Sequence, residues 1–235
     1  KEAMSAARHM WEQTPDAVIA KIGPVFDRWM CSVYDVQKRF GRWDEIIAEP
    51  APPATLPVTT AIWRAHRAVA FAAKKDFANA EIEYTAFRNA RSSIPMAALE
   101  MGGMDDRFLQ VSDLFIRGEI ALQKEKWELA TELLTDAATI ESTLAYGEPP
   151  QWLQPIRHTL GAVYLATNQH AKAEQCYRED LEKWPNNGWS LFGLSRALKG
   201  LGKTKAAEQA FANYEKHWAK ADKPISTSCK CLELE

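Results

Sequence analysis

Leu160-Gly161-Ala162-Val163-Tyr164, then Ala173-Glu174-Gln175-Cys176-Tyr177, then Pro185, is the stretch that decides the fold. Leu-Gly-x-x-Tyr followed by Ala-x-x-x-aromatic and a closing Pro is the pattern of a helix–turn–helix repeat of about 34 residues. One such hairpin cannot bury its own apolar face, so the pattern predicts a stack of hairpins. Stacks of this kind bind other molecules more often than they transform them. Working outward, Trp189, Leu191, Phe192, Leu194, Ala197 and Leu198 keep helical spacing. Gly202 can end that helix in the left-handed conformation, and Ala206, Ala207, Ala210, Phe211 and Tyr214 mark its antiparallel partner.

Upstream the signature is weaker. Gly118, with Leu114 and Ala121, takes the part of Gly161, and Ala130, Leu134 and Ala137 continue that unit. The spacing from Gly118 to Gly161 exceeds one repeat. Gly147-Glu148-Pro149-Pro150, which cannot continue a helix, accounts for the excess as a rigid turn. Hairpins are expected at 24–50, 59–91, 107–145, 152–184 and 188–219, within a single domain over 1–223. A flexible tail is expected at 224–235, its final Leu-Glu-Leu-Glu partly resembling an expression scar. The fold class expected is all-α, a right-handed superhelical solenoid, with no sheet.

Leu160, Gly161, Tyr164, Ala173, Tyr177 and Pro185 resemble a tetratricopeptide repeat, with one strong copy and about three degenerate ones. A narrower resemblance is carried by Phe40-Gly41-Arg42-Trp43-Asp44, by Pro149-Pro150 with Trp152, Pro155 and Arg157, and by Tyr177-Arg178-Glu179-Asp180-Leu181 with Asn187-Gly188-Trp189. Together they are similar to the C-terminal half of a group of longer bacterial tetratricopeptide proteins. The resemblance implies that Gly161 and Ala173 face each other across a hairpin. It also implies that the first helix of each hairpin lines a concave groove. That projection puts Arg28, Asp35, His66, Phe115, Glu119, His158, Trp189, Phe192 and Arg196 on the groove, with Cys31 and Lys38 beside them; Arg157 stands at its edge, next to Trp152 and Pro155. The family's carboxylate clamp of Lys, Asn and Arg falls on His158, Ala162, Trp189 and Gly193, so the clamp is absent. Arg67 and Arg117 replace the family's usual apolar residue.

Composition narrows the function classes. The formal net charge is −2, from 29 basic and 31 acidic residues, without the basic excess of a nucleic-acid binder. No apolar run is long enough to insert in a membrane, and the compartment expected is cytoplasmic. His-Glu-x-x-His and Gly-x-Ser-x-Gly are missing, so no enzyme and no cofactor is expected. The reading is a non-catalytic scaffold or adaptor that takes a protein or peptide partner in its groove. Two alternatives stand beside it. Cys229-Lys230-Cys231 is the chain's metal-like arrangement and could hold copper or zinc, or another small ligand. The apolar face of residues 1–12, with Met4, Met10 and Trp11, would suit a fragment that packs on missing N-terminal repeats, or self-association through this helix.

Overall fold

A computed structural model describes residues 1–232 except 146, 148, 149 and 223, and except the side chains of 16, 20, 22 and 24. Two residues of the expected rigid turn (148 and 149) and the last three of the chain therefore lie outside the described residues. Among the described residues the chain is all-α, with no strand. The N-terminal region comprises α1 (Glu2–Glu12), α2 (Asp16–Phe26), a 3₁₀ segment (Asp27–Cys31), α3 (Ser32–Arg39) and α4 (Trp43–Ala48). Four hairpins follow: α5 (Pro57–Ala73) with α6 (Phe77–Ser92), α8 (Asp106–Gln123) with α9 (Trp127–Ser142), α10 (Ile156–Ala166) with α11 (His170–Lys183), and α12 (Gly188–Gly200) with α13 (Thr204–Trp218). The short α7 (Met96–Met101) bridges the first two.

All four hairpins turn in the same way. Three residues join the helices, and the middle one is left-handed: Lys75, Glu125, Asn168 and Gly202, with φ of 63°, 57°, 56° and 70°. In each turn the residue just before the second helix donates its backbone N–H to a carbonyl five residues back. These bonds are Asp76 to Phe71, Lys126 to Ala121, Gln169 to Tyr164 and Lys203 to Leu198, at 2.8–3.0 Å. They close the last turn of the first helix in a Schellman arrangement. Only the fourth turn uses glycine, the residue that adopts this conformation without steric cost.

Buried carboxylates from preceding segments start two of the first helices. Asp27 accepts the backbone N–H groups of Val58 and Thr59, both at 2.7 Å, at the N-terminus of α5. Glu141 accepts the N–H of Ile156 at 3.1 Å, at the N-terminus of α10. Both satisfy donors that a helix leaves unpaired at its start.

Small residues set the helix separations. Gly118 faces Leu134, as expected for the second unit. Gly161 faces Tyr177 rather than Ala173. Tyr177, fully buried, lies between Gly161 of α10 and Gly193 of α12. The tyrosine therefore fills the junction between two hairpins, and each glycine provides one wall.

The chain departs from the expected array at both ends. Residues 24–50 do not form a regular hairpin; the 3₁₀ segment breaks the first helix, and α3 and α4 are short. The apolar face of α1 is covered within the chain, where Met4, Ala7 and Trp11 pack with Cys31, Val33 and Tyr34. Trp11 Nε1 also donates to the Met30 carbonyl at 2.9 Å. This covering removes the basis for the expected self-association through that face. Arg67 is tied to Glu83 at 2.8 Å and Arg117 to Asp113 at 3.8 Å, which accounts for two charges at positions where the repeat pattern is apolar. No helix among the described residues is long and apolar enough to cross a membrane.

Candidate functional site

The face of α5, α8, α10 and α12 that the repeat resemblance places on a groove is not open. Three pieces of the same chain fill it: the end of α3, the segment before α10, and residues 224–232. The Lys38 ammonium sits 3.9 Å from the Phe115 ring centroid and donates to Gln154 Oε1 at 3.2 Å. Arg39 stacks 4.2 Å above Trp189, and Phe40 packs beside the same ring. Trp152 meets Phe108 and Phe115 with centroids 6.0 and 5.6 Å away.

The C-terminal segment, for which flexibility was expected, packs against the helices. Ile225, Thr227, Ser228, Cys229 and Cys231 are all buried. The Ile225 N–H donates to Tyr214 Oη at 3.2 Å. Ser228 Oγ donates to the His158 carbonyl at 3.0 Å and shares a 2.5 Å hydrogen bond with Tyr177 Oη. Gln123 Nε2 donates to the Cys231 carbonyl at 2.5 Å. The segment thus crosses from α13 past α11 and α10 to α8. Short hydroxyl and cysteine side chains allow this, because they fit against the helices while groove residues satisfy polar groups of the segment.

Three polar clusters lie along the face. In the first, Arg28 donates through Nη1 to Asp35 at 3.0 Å and through Nε to the Gln151 carbonyl at 2.8 Å, with its guanidinium 5.0 Å from the Phe108 ring. Asp35 also faces His66 Nε2 at 3.2 Å. Burial pushes the Asp35 carboxyl up, but Arg28 and His66 outweigh it and hold the pKa at about 2. In the second, Lys38, Glu119 and Thr159 meet Cys229 and Cys231, which are joined in a disulfide. In the third, His158 lies between Arg39 and Asp180, and Ser190 Oγ donates to Asp180 at 2.5 Å.

The tautomer of His158 follows from its partners. Arg39 lies 2.6 Å from Nδ1 and can only donate, so Nδ1 carries no proton; Nε2 donates to Asp180 Oδ2 at 3.0 Å. The imidazole is neutral. Burial, reinforced by Arg39 and opposed by Asp180, pushes its pKa down to about 4. As pH falls from 6.5 toward 4, the unfolded chain gains a proton at this residue that the folded chain does not take up, and stability is lost. Burial raises Glu119 and, to about 7, Glu141, and these carboxyls oppose the trend between pH 4.5 and 7. The histidine contribution is therefore read as a difference. Between pH 7 and pH 4.5 the native chain should lose about 2 kcal/mol more than His158→Gln. Urea unfolding of both proteins measures this, and parallel pH profiles would contradict the neutral assignment.

The sequence projection is met unevenly. Arg28, His66, Phe115, Glu119, His158 and Trp189 are buried and Asp35 is half-buried, within a packed interior rather than an open binding surface. Phe192 is half-buried against Tyr214, with centroids 5.4 Å apart, and Arg196 is exposed outside the three clusters. Arg157 pairs with Glu179 at 3.1 Å, while the ring partners of Trp152 are Phe108 and Phe115. Glu119 Oε1 accepts from Thr159 Oγ1 at 3.3 Å, within the electrostatic reach of Lys38. Cys229 and Cys231 lie at the groove floor. Sequence reasoning missed Arg39, Gln123, Gln154, Thr159, Asp180 and Ser190. Asp180 carried a readable signal: with Ala173, Cys176 and Tyr177 it completes one buried helical stripe, so a carboxylate there requires interior partners.

No protein-family model matches the chain, and no curated protein matches it. Among solved structures, the crystal structure of MamA protein is similar at a TM-score of 0.42 and 14% identity, covering 85% of this chain and 98% of that one.

Proposed function

We infer that the chain is a non-catalytic scaffold whose concave groove takes a peptide segment of a protein partner. One observation carries this reading: the groove already holds such a peptide, residues 224–232 of its own chain, with helices from three hairpins contacting it. Two kinds of contact are involved. Gln123 and Tyr214 bind the backbone of the segment, independent of its side chains, while Tyr177 reads a small hydroxyl residue at Ser228. Such a groove suits segments of small polar residues better than bulky ones. Phe115 and Trp189, expected on the groove, are already covered by Lys38, Trp152, Arg39 and Phe40. Arg28 with Asp35 and His66, and His158 with Asp180, are paired with one another, which fits a binding surface better than a set of free acids and bases.

The test is capture of a peptide in trans. Ser228→Arg places a long cation where Tyr177 and the His158 carbonyl leave no room, and should eject the segment. A fluorescent peptide with the sequence of residues 224–232 should then bind the variant saturably, one per chain, in an anisotropy titration, while the native chain binds it at least about tenfold more weakly because its own segment competes at high effective concentration. Failure of the folded variant to bind the peptide would remove the groove as a peptide site.

A further inference from the structure

The second cluster contains a group that the peptide-groove reading does not use. Glu119 is fully buried on α8, and its Oε2 has no hydrogen-bond partner. Its Oε1 meets Thr159 Oγ1 at 3.3 Å, and that hydroxyl lies 3.3 Å from Cys229 Sγ and 3.7 Å from Cys231 Sγ. One ligand atom from each of Glu119, Cys229 and Cys231 can be chosen so that all three lie within 4.8 Å of one another. A buried carboxylate oxygen without a partner is costly, and its convergence with two sulfurs gives the donor set a cation requires.

We propose that, with Cys229 and Cys231 reduced, the chain binds one zinc-class divalent cation through their two thiolates and the Glu119 carboxylate, and that the ion fastens the C-terminal segment in the groove. Two sulfurs and one carboxylate oxygen form a borderline donor set suited to Zn²⁺, while a hard cation such as Mg²⁺ would favour oxygen alone. Charge agrees with this choice. Two thiolates and a carboxylate carry three negative charges, and the nearby Lys38 ammonium offsets one, which leaves the balance for a divalent ion. Thr159 Oγ1 lies 3.3–3.7 Å from all three donors. The disulfide and the metal exclude each other, so the site belongs to the dithiol form. The proposal rests on the seating of residues 224–232 in the groove, and not on the groove accepting a partner in trans.

The test uses the full chain, reduced with a phosphine and kept free of oxygen. Zn²⁺ is titrated against a chromogenic chelator, native mass spectrometry gives the stoichiometry, and Co²⁺ substitution reports thiolate ligation and tetrahedral geometry by its absorption bands. One ion per chain is expected. Cys229→Ser or Cys231→Ser should weaken binding by more than about 100-fold, beyond the range for residues that only support a ligand. Glu119→Gln keeps the shape of the side chain and removes a buried charge, so it should fold. It should weaken Zn²⁺ by at least about tenfold and alter the Co²⁺ spectrum. Absence of stoichiometric binding by the reduced native chain would overturn the proposal. So would a Glu119→Gln variant that binds Zn²⁺ as the native chain does, since this marks a solvent-exposed Cys-x-Cys chelate. Peptide capture by Ser228→Arg with no zinc bound to the native chain would end the metal site and leave the groove reading standing.

Discussion

Arg28→Ala should destabilise the chain by about 3–5 kcal/mol, the cost of removing one partner from a buried ion pair. Arg28 is 2% exposed, and its guanidinium joins three separate pieces of chain: Asp35 on α3, the Gln151 carbonyl in the segment before α10, and the Phe108 ring on α8. Alanine leaves the Asp35 carboxylate, held at about 2 by Arg28 and His66 against the effect of burial, with only His66 to compensate it. It also leaves the Gln151 carbonyl without its donor. The size of the loss reflects the stranded partner more than the net value of the pair. Arg28→Met with Asp35→Leu should therefore cost less than Arg28→Ala alone. Equilibrium urea unfolding decides this. A loss below about 1 kcal/mol for Arg28→Ala would place the pair among ordinary surface ion pairs.

Gly193→Ala should also destabilise, and here the sign is the test. In an ordinary helix interior, alanine is more favourable than glycine by about 1 kcal/mol. At Gly193 an added Cβ would lie 2.2 Å from Tyr177 Cζ, and on the opposite side Gly161 would meet the same atom at 2.4 Å. The ring cannot move away from one helix without striking the other, and its hydroxyl is held by Ser228. Overpacking of this kind costs about 1–3 kcal/mol beyond any gain in propensity. Thermal or urea unfolding should show a net loss of stability. Combining Gly193→Ala with Tyr177→Ala should cost less than the sum of the two single changes, because removing the ring relieves the clash. Stabilisation by Gly193→Ala would contradict the wedge.

How much of this could be read from the sequence depended on which device each turn and contact used. The hairpin of α12 and α13 was legible because Gly202 marks its turn. The same left-handed position is held by Lys75, Glu125 and Asn168 in the other hairpins, and none of these announces itself. Gly118 and Gly161 were legible as close-approach sites, but the partner of Gly161 was not, since Tyr177 reaches it from the opposite helix and touches Gly193 as well. The groove residues were found from repeat phase alone. Phase gives the face on which a side chain lies, but not whether another part of the chain covers that face. The covering pieces lacked a periodic signal: α3 is too short, and Ser226 to Lys230 has the composition of an exposed loop. Their burial arises from hydrogen bonds between distant parts of the chain, such as Ser228 with His158 and Gln123 with Cys231, which no local pattern encodes.

The central claim is that the concave groove is a peptide site occupied by the chain's own C-terminal segment. Amide hydrogen exchange of the full chain tests it most directly. The amide of Ile225, bound to Tyr214, and those of the buried Cys229 and Cys231, bound to Thr227 Oγ1 and Cys229 Sγ, should be protected far above unfolded-chain rates and should lose that protection in Ser228→Arg. Exchange of these amides at unfolded-chain rates in the native protein would contradict the account.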